Sequence, residues 1–174
     1  MTWFIVVGAL IIFFGFATFF GAPYVPSRKR FIESAFEKLY KVTSSDLIVD
    51  VGSGDGVVLR MAAKKGARAV GYEINPLLVL ISKLVSFRNS KIAVRLANFW
   101  QVELPAETTI VYAFAVSRDG KKLKAKMQQE ADRLQKSLKL MCYASPLPGK
   151  KADATFEAYH LYSFHPLHQS QAQV

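Results

Sequence analysis

A short run of glycines and acids is the part of this chain whose residue types could do chemistry. The run Asp50-Val51-Gly52-Ser53-Gly54-Asp55-Gly56 follows an apolar segment, and Glu73 comes 23 residues after Asp50. Glycines let the backbone approach a ligand closely, and an acid that ends the next strand can accept hydrogen bonds from ribose hydroxyls. A carboxylate that ends a buried strand has no other evident purpose. The run therefore predicts a site for a cofactor that contains a nucleoside.

The spacing of the glycines narrows the type of cofactor. A dinucleotide fingerprint needs G-x-G-x-x-G, and counting from Gly52 places Val57 where the third glycine should be. The acid inside the turn, Asp55, would repel a pyrophosphate and favours a cofactor with a cationic or amino-acid end. Glycine turns after strands are common, so a turn that binds no ligand is the alternative interpretation.

This run resembles motif I of the class I S-adenosylmethionine-dependent methyltransferases, and Glu73 resembles the acid with which that family holds the ribose. The resemblance implies S-adenosyl-L-methionine as the cofactor. The implied cofactor-binding residues are Asp50, Gly52, Ser53, Gly54, Asp55, Gly56, Glu73, Asn98 and Phe99. Asp50 would orient the turn, and Asp55 would contact the methionine moiety. Asn98 and Phe99 would frame the adenine. The alternative for Asp50 is a strand-end acid in a salt bridge, and the alternative for Asp55 is an acid at a helix N-terminus. Phe99 could equally be an aromatic residue of the core.

The elements around these residues must bring them together at one edge of a sheet. Strands are predicted at 47–51, 67–74, 92–96, 108–115, 138–145 and 156–164, and helices at 31–40, 57–65, 77–87 and 120–136. This alternation favours an α/β fold with a doubly wound, mostly parallel, Rossmann-like methyltransferase sheet whose closing strand could be antiparallel. Ligands bind beyond the carboxyl ends of such strands, so the glycine turn, Glu73, Asn98 and the loop after Ala115 should gather there. Little sequence is left for a last helix, so the fold is shortened at its C-terminus.

The N-terminal part of the chain differs in composition from the rest. From Trp3 to Ala22 it has 20 almost entirely apolar residues, and a helix of that length, at about 1.5 Å per residue, spans about 30 Å. We therefore predict a transmembrane anchor at residues 1–22. A cleaved signal peptide, the alternative, would need a basic start and a shorter apolar run. The basic residues 28–30 come after the span, so the positive-inside rule places the catalytic domain on the cytoplasmic or matrix side.

The remaining residues predict a single domain. A linker with an N-terminal helix would occupy residues 23–46, the methyltransferase domain residues 47–167 and a disordered tail residues 168–174. The total of 174 residues leaves room for one core of ordinary size once the anchor is set aside. No internal repeat divides this region further.

Charge and composition limit the partners. The net charge of +10 implies an anionic partner, which could be nucleic acid, anionic lipid or an acidic protein. Residues 120–139 hold seven basic and two acidic side chains, so this helix could face anionic headgroups or only solvent. The single cysteine, Cys142, is expected to be buried in a strand. The three histidines lack a set of partner ligands, so no metal site is expected.

The whole layout resembles the small family of membrane-anchored protein-lysine methyltransferases that act on the ATP synthase c-subunit and the adenine nucleotide translocase. The resemblance depends on the anchor, on Pro23-Tyr24-Val25-Pro26-Ser27, on the glycine run and on Gly71-Tyr72-Glu73-Ile74-Asn75-Pro76. It covers residues 1 to about 117 well and the C-terminal third loosely, and it implies a membrane protein as substrate. Family members often carry an aspartate in place of Asn98, and a proline-containing loop in place of residues 116–118, where substrate should bind.

The residues alone leave other functions open. The methyl acceptor could be a lipid, a quinone or another small amphiphile, and a non-catalytic cofactor-binding scaffold is a further alternative. A nucleic-acid methyltransferase is disfavoured, because Ala115-Val116-Ser117-Arg118 stands where an N/D-P-P-Y motif would be expected. Methyl transfer can depend largely on positioning, and no catalytic residue stands out. Tyr24 is the one candidate for lining the acceptor channel, although an interfacial aromatic residue needs no such role.

Overall fold

A computed structural model describes three parts of the chain, residues 2–8, 29–115 and 119–167. Four predicted features lie outside these parts, so the expectations about them stay predictions. They are most of the anchor, Tyr24, the loop at 116–118 and the disordered tail. Residues 2–8 are helical. Within the three described parts, no helix has the length and apolar character that crossing a membrane requires.

From residue 29 onward the described chain alternates between strands and helices. The helices are α1 (Lys29–Lys38), α2 (Val57–Lys64), α3 (Pro76–Ser86) and α4 (Gly120–Leu134), with a short 3₁₀ turn, η1, at Phe99–Gln101. The strands are β1 (Leu47–Val51), β2 (Arg68–Glu73), β3 (Ile92–Leu96), β4 (Ile110–Ala115), β5 (Leu138–Ala144), β6 (Ala154–Phe156) and β7 (Tyr159–Phe164). Every helix and strand predicted after the anchor is present, and apart from the last strand their ends lie within two residues of the predicted ones.

The strands form one mixed sheet in the order β3-β2-β1-β4-β5-β7-β6. Strands β1 to β5 pair in parallel, whereas β7 runs antiparallel to β5 and β6 antiparallel to β7. The prediction of a single last strand from residue 156 was wrong, because Phe156 ends β6 and a tight turn leads into β7. Glu157 has a φ of 52° in this turn, a left-handed conformation that glutamate seldom adopts, and no glycine or asparagine marks it in the sequence.

Alternate strand residues face two cores on opposite sides of the sheet. On one side Ile48 of β1 packs with residues of α1, α2 and α3, among them Phe36 and Leu59. On the other side Val49 packs with residues of α4 and η1, among them Met127. Strands with both faces covered need apolar residues at nearly every position, which explains the continuous apolar runs in the sequence. Cys142 is fully buried on β5, as predicted.

The basic helix α4 is fixed to the domain by a buried acid. Glu130 accepts hydrogen bonds from Lys126 Nζ at 2.7 Å, Arg133 Nη2 at 2.6 Å and the Leu104 backbone N–H at 3.1 Å. Burial would raise the pKa of Glu130, but its hydrogen bonds from Lys126, Arg133 and Leu104 hold it below its usual value. Five of the seven basic residues at 120–139 donate hydrogen bonds inside the domain, namely Lys124, Lys126, Arg133, Lys136 and Lys139. A contact between this face and anionic headgroups stays a prediction.

Candidate cofactor site

The glycine run forms a turn at the carboxyl end of β1. Gly52, Gly54 and Gly56 have φ angles of 71°, 54° and 81°, which side chains with a Cβ tolerate poorly. The backbone N–H groups of Gly52 and Ser53 both donate to the Tyr72 carbonyl, at 2.9 and 3.0 Å. These bonds tie the turn to β2, so its backbone is held at the sheet edge where a cofactor is expected.

A further glycine, Gly71 on β2, allows the turn to lie this close. A Cβ on Gly71 would be 2.5 Å from Ser53 Oγ and 2.7 Å from Leu59 Cδ1, which is closer than atoms can pack. Gly71 was not among the predicted site residues, although it stands in the run that carried the closer resemblance. The signal that could have found it is a glycine inside an otherwise bulky buried strand.

Glu73 lies directly against the glycine turn. Its Oε2 accepts a hydrogen bond from the Gly54 N–H at 2.9 Å, and its Oε1 accepts one from the Asn75 N–H at 2.8 Å. The expectation that this carboxylate has no purpose except a ligand was therefore wrong, because it joins the turn to the start of α3. Each carboxylate oxygen can accept more than one hydrogen bond, so Glu73 retains capacity for ribose hydroxyls.

Asp50 gives the site its electrostatic character. This residue of β1 is 3% exposed, and burial together with the negative charges of Glu73 and Asp55 raises its pKa to about 8. A cation next to Asp50 would favour its ionised form and lower that pKa. The site is thus suited to a ligand with positive charge, which fits a cofactor that carries a sulfonium and an ammonium group.

Asp55 takes the position of an acid at a helix start. Its side chain pairs with Arg60 Nη2 at 3.0 Å, and its Oδ1 accepts a hydrogen bond from the Val57 N–H at 3.3 Å. Both contacts lie in the first turn of α2, where negative charge is favoured. This is the alternative interpretation of Asp55, and a contact with the methionine moiety stays a prediction.

Asn98 and Phe99 follow β3 at the same edge of the sheet. The backbone N–H of Ala97 donates to the Glu73 carbonyl at 3.0 Å, which places the end of β3 beside Glu73. Asn98 is exposed, and its Oδ1 accepts from the Trp100 N–H at 3.1 Å. Phe99 is buried, with its ring centroid 6.3 Å from that of Tyr72. Phe99 is therefore placed as a core residue, whereas Asn98 remains accessible for an adenine contact.

The sequence matches a described family over most of the domain. The family is described as the ANTKMT methyltransferase domain, and the match covers residues 50–154. The chain is 31% identical over 160 residues to the ATP synthase c-subunit lysine N-methyltransferase of Xenopus laevis, covering 86% of this chain and 68% of that protein. It is 34% identical over 113 residues to the human protein of that name, covering 63% of this chain and 47% of that protein. The chain thus spans about half to two thirds of these relatives' length.

Two solved structures show how widely the fold is shared. An RNA methyltransferase from Salinibacter ruber in complex with S-adenosyl-L-homocysteine has a TM-score of 0.71 at 23% identity, covering 82% of this chain and 95% of that one. A geranyl diphosphate methyltransferase in complex with its methyl donor has a TM-score of 0.51 at 16% identity, covering 71% and 53%. At such identities the likeness shows the fold alone, a seven-stranded mixed sheet with helices.

Proposed function

The chain belongs to the ANTKMT methyltransferase domain family, and on this premise we propose that it methylates a lysine of a membrane protein. The predicted resemblance, the methyltransferase class and S-adenosyl-L-methionine as cofactor are confirmed. The observation that supports a lysine acceptor is the similarity to an ATP synthase c-subunit lysine N-methyltransferase along 86% of the chain. The substrate class that we propose is an apolar membrane protein with an accessible lysine.

The residues at the sheet edge fit the cofactor. S-adenosyl-L-methionine supplies, when bound, a methyl group on a positively charged sulfonium. The turn at 52–56 would let the cofactor approach the protein backbone closely, and Glu73 would accept hydrogen bonds from the ribose hydroxyls. The positive charge of the cofactor would favour the ionised form of Asp50, which would then supply negative charge in a buried position, where a Coulombic interaction is stronger than in water.

The acceptor amine needs positioning more than a dedicated base. Methyl transfer is an in-line displacement, and holding the two reactants in line supplies much of the acceleration. A lysine amine that leaves water for an apolar environment has a lowered pKa, so it can lose its proton before it reacts. Tyr24 and the loop at 116–118 remain the residues we propose for lining this channel.

Tethering to a membrane is a further part of the proposal. It is supported by the apolar residues from Trp3 to Ala22 and by the basic residues 28–30 that follow them. Such an anchor would hold the domain on the cytoplasmic or matrix side, next to a membrane-embedded acceptor. The acceptor and the cofactor would then be confined to the same narrow layer.

The acceptor can be identified by following the methyl group. The full chain is incubated with radiolabelled S-adenosylmethionine and membranes from cells that lack this protein. We expect label in a protein band that resists lipid extraction, and methyl-lysine after acid hydrolysis of that band. Label in the organic phase would show a lipid or quinone acceptor instead. Binding of the cofactor without any labelled product would indicate a scaffold.

A further inference from the structure

Helix α3 buries small side chains and exposes large apolar ones, which is the reverse of a helix that packs on a core. The side chains that it buries are Val79, Ser82 and Ser86. The hydroxyls of both serines have no hydrogen-bond partner among the described residues. Its large aliphatic side chains point outward instead, and those of Leu77, Leu80, Ile81, Leu84 and Val85 are 37–62% exposed. A helix at the surface of a soluble domain turns its apolar stripe inward, so the outward face of α3 is suited to an apolar environment.

The exposed apolar residues extend beyond the helix itself. Phe87, directly after α3, is 76% exposed, and Leu96 at the end of the edge strand β3 is 58% exposed. Val94 of β3 belongs to the core beneath α3, so Leu96, two residues on, lies on the same face of the sheet. We call these seven residues, Leu77, Leu80, Ile81, Leu84, Val85, Phe87 and Leu96, the α3 surface. Apolar residues grouped in this way mark an interaction site.

The exposed charges of the chain segment that forms the α3 surface have one sign. Between residues 74 and 102 the sequence has four basic residues, Lys83, Arg88, Lys91 and Arg95, and no acidic residue. Arg95 lies over the Tyr72 ring at 6.0 Å, on the other face of the sheet, so the first three are the basic residues beside the α3 surface. All four basic side chains are exposed. The contacts that Arg88 and Lys91 make are with uncharged groups, the Phe87 ring at 5.4 Å and the Gly66 carbonyl at 3.0 Å. Their positive charge is therefore available to a partner.

We propose that the α3 surface docks on an anionic lipid bilayer. Helices that lie in a membrane interface have large apolar side chains on one face and lysine and arginine beside them. The α3 surface has this composition, with leucine, isoleucine, valine and phenylalanine as the apolar residues. The basic residues would meet anionic headgroups while the aliphatic side chains enter the acyl boundary. Charge complementarity selects this occupant, because the surface offers no acid to a basic partner.

The inference is separate from a lipid contact through α4. Helices α3 and α4 pack on opposite faces of the sheet, so one flat bilayer cannot lie against both. Five of the seven basic residues at 120–139 donate hydrogen bonds inside the domain, whereas of Lys83, Arg88 and Lys91 only Lys91 donates one to a described residue. Docking through α3 also brings Glu73, three residues before the first residue of the helix, close to the membrane. Docking requires no methyl transfer, so it can be tested separately from the proposed function.

A fluorophore on the α3 surface can distinguish lipid from other neighbours. The only native cysteine, Cys142, is buried, so a thiol-reactive NBD label attaches selectively to a new cysteine. The full chain with Leu84→Cys is reconstituted into phosphatidylcholine vesicles with and without phosphatidylserine. The matched control is Lys121→Cys on α4, an exposed position on the opposite side of the sheet. We expect doxyl-labelled lipids to quench the label at 84 at least twofold in the anionic vesicles, and aqueous iodide to quench only the control.

The basic residues give the second arm of the test. Lys83→Gln, Arg88→Gln and Lys91→Gln, combined in the Leu84→Cys chain, should return quenching by doxyl lipids to the level of the control. Binding of S-adenosylhomocysteine shows that the variant remains folded. Iodide access to position 84 in both vesicle types would overturn the proposal. So would protection from iodide without quenching by doxyl lipids, because a protein segment, such as residues 9–22 or a second copy, would then cover the surface.

Discussion

At the scale of single residues, the site depends on two buried carboxylates in a strongly basic chain. Glu73 accepts two backbone hydrogen bonds and thereby fixes the glycine turn and the start of α3. Burial and the nearby acids raise the pKa of Asp50 to about 8. The first acid is therefore structural as well as suited to ligand binding, whereas the second responds to whatever charge enters the site.

Glu73→Gln should weaken cofactor binding without preventing folding. The neutral amide loses the charge of the acceptor, and a hydrogen bond to a charged group is worth about 1.5–3 kcal/mol, so affinity should fall roughly tenfold to a hundredfold. Calorimetric titration with S-adenosylhomocysteine measures the change. Glu107→Gln makes the same chemical change at an exposed carboxylate and should bind as the unaltered chain does. Equal affinities for the two variants would remove Glu73 from the site.

Asp50→Asn should flatten the pH dependence of stability. The folded pKa of about 8 exceeds the ordinary value of 3.8, so the folded protein keeps a proton that the unfolded chain releases between these values. The free energy of unfolding of the ligand-free protein therefore falls as pH rises toward 8. Urea unfolding followed by tryptophan fluorescence from pH 5 to 8.5 measures this slope. A slope in Asp50→Asn as steep as that of Glu107→Gln would contradict the assignment.

The sequence allowed the residues of the turn and Glu73 to be predicted because their spacing is local. It did not reveal that Glu73 bonds to Gly54 and Asn75, since these contacts depend on how β2 meets the turn. The same limit applies to Phe99, which is adjacent to Asn98 in sequence but is packed on Tyr72 in the core. Which of two neighbouring residues faces a ligand is decided by tertiary packing.

At the scale of elements, the close approach of α3 to the glycine turn is the decisive contact. A Cβ on Gly56 would be 2.1 Å from Ser82 Oγ and 3.3 Å from Ser82 Cβ, so only a small residue fits on each side. The sequence predicted a helix at 77–87, but it did not predict which side of that helix is buried. The buried side includes Ser82, which is small enough to meet Gly56.

Gly56→Ala should destabilise the domain, and Ser82→Ala should recover part of the loss. Alanine at a left-handed position costs about 1–2 kcal/mol, and crowding against Ser82 adds about 1–3 kcal/mol. Removing the Ser82 hydroxyl relieves the crowding only, so the double variant should lie between Gly56→Ala and the unaltered chain. Ser82→Ala alone should be close to neutral, because its hydroxyl has no partner among the described residues. Strictly additive effects in urea unfolding would contradict this contact.

At the scale of the whole molecule, the candidate cofactor site joins elements from both sides of the sheet. The glycine turn leads into α2 on one side of the sheet, and Glu73 is hydrogen-bonded to the segment that enters η1 on the other. The chain after β5 returns without a helix in the described residues 145–153, and the Leu147 N–H donates to Tyr162 Oη at 2.8 Å. The β6–β7 hairpin was not predictable from the sequence, since its turn lacks the usual residues.

Binding at this junction should stabilise the whole domain. A ligand at 100 times its dissociation constant stabilises the folded state by about 2.7 kcal/mol, which for a protein of this size raises the Tm by roughly 5–10 °C. Thermal unfolding of the full chain with S-adenosylhomocysteine measures the shift. At the same ligand concentration the shift should be much smaller in Glu73→Gln. Equal shifts in both proteins would place the ligand elsewhere.

The burial of Cys142 makes the chain its own reporter of opening. The thiol lies on β5 inside the sheet, and burial raises its pKa to about 12, so almost none of it is the reactive thiolate. An alkylating reagent can modify it only in molecules in which the core between the sheet and α4 has opened. The rate of modification, read by mass spectrometry, therefore measures how often this core opens, in detergent or in vesicles and without any added probe.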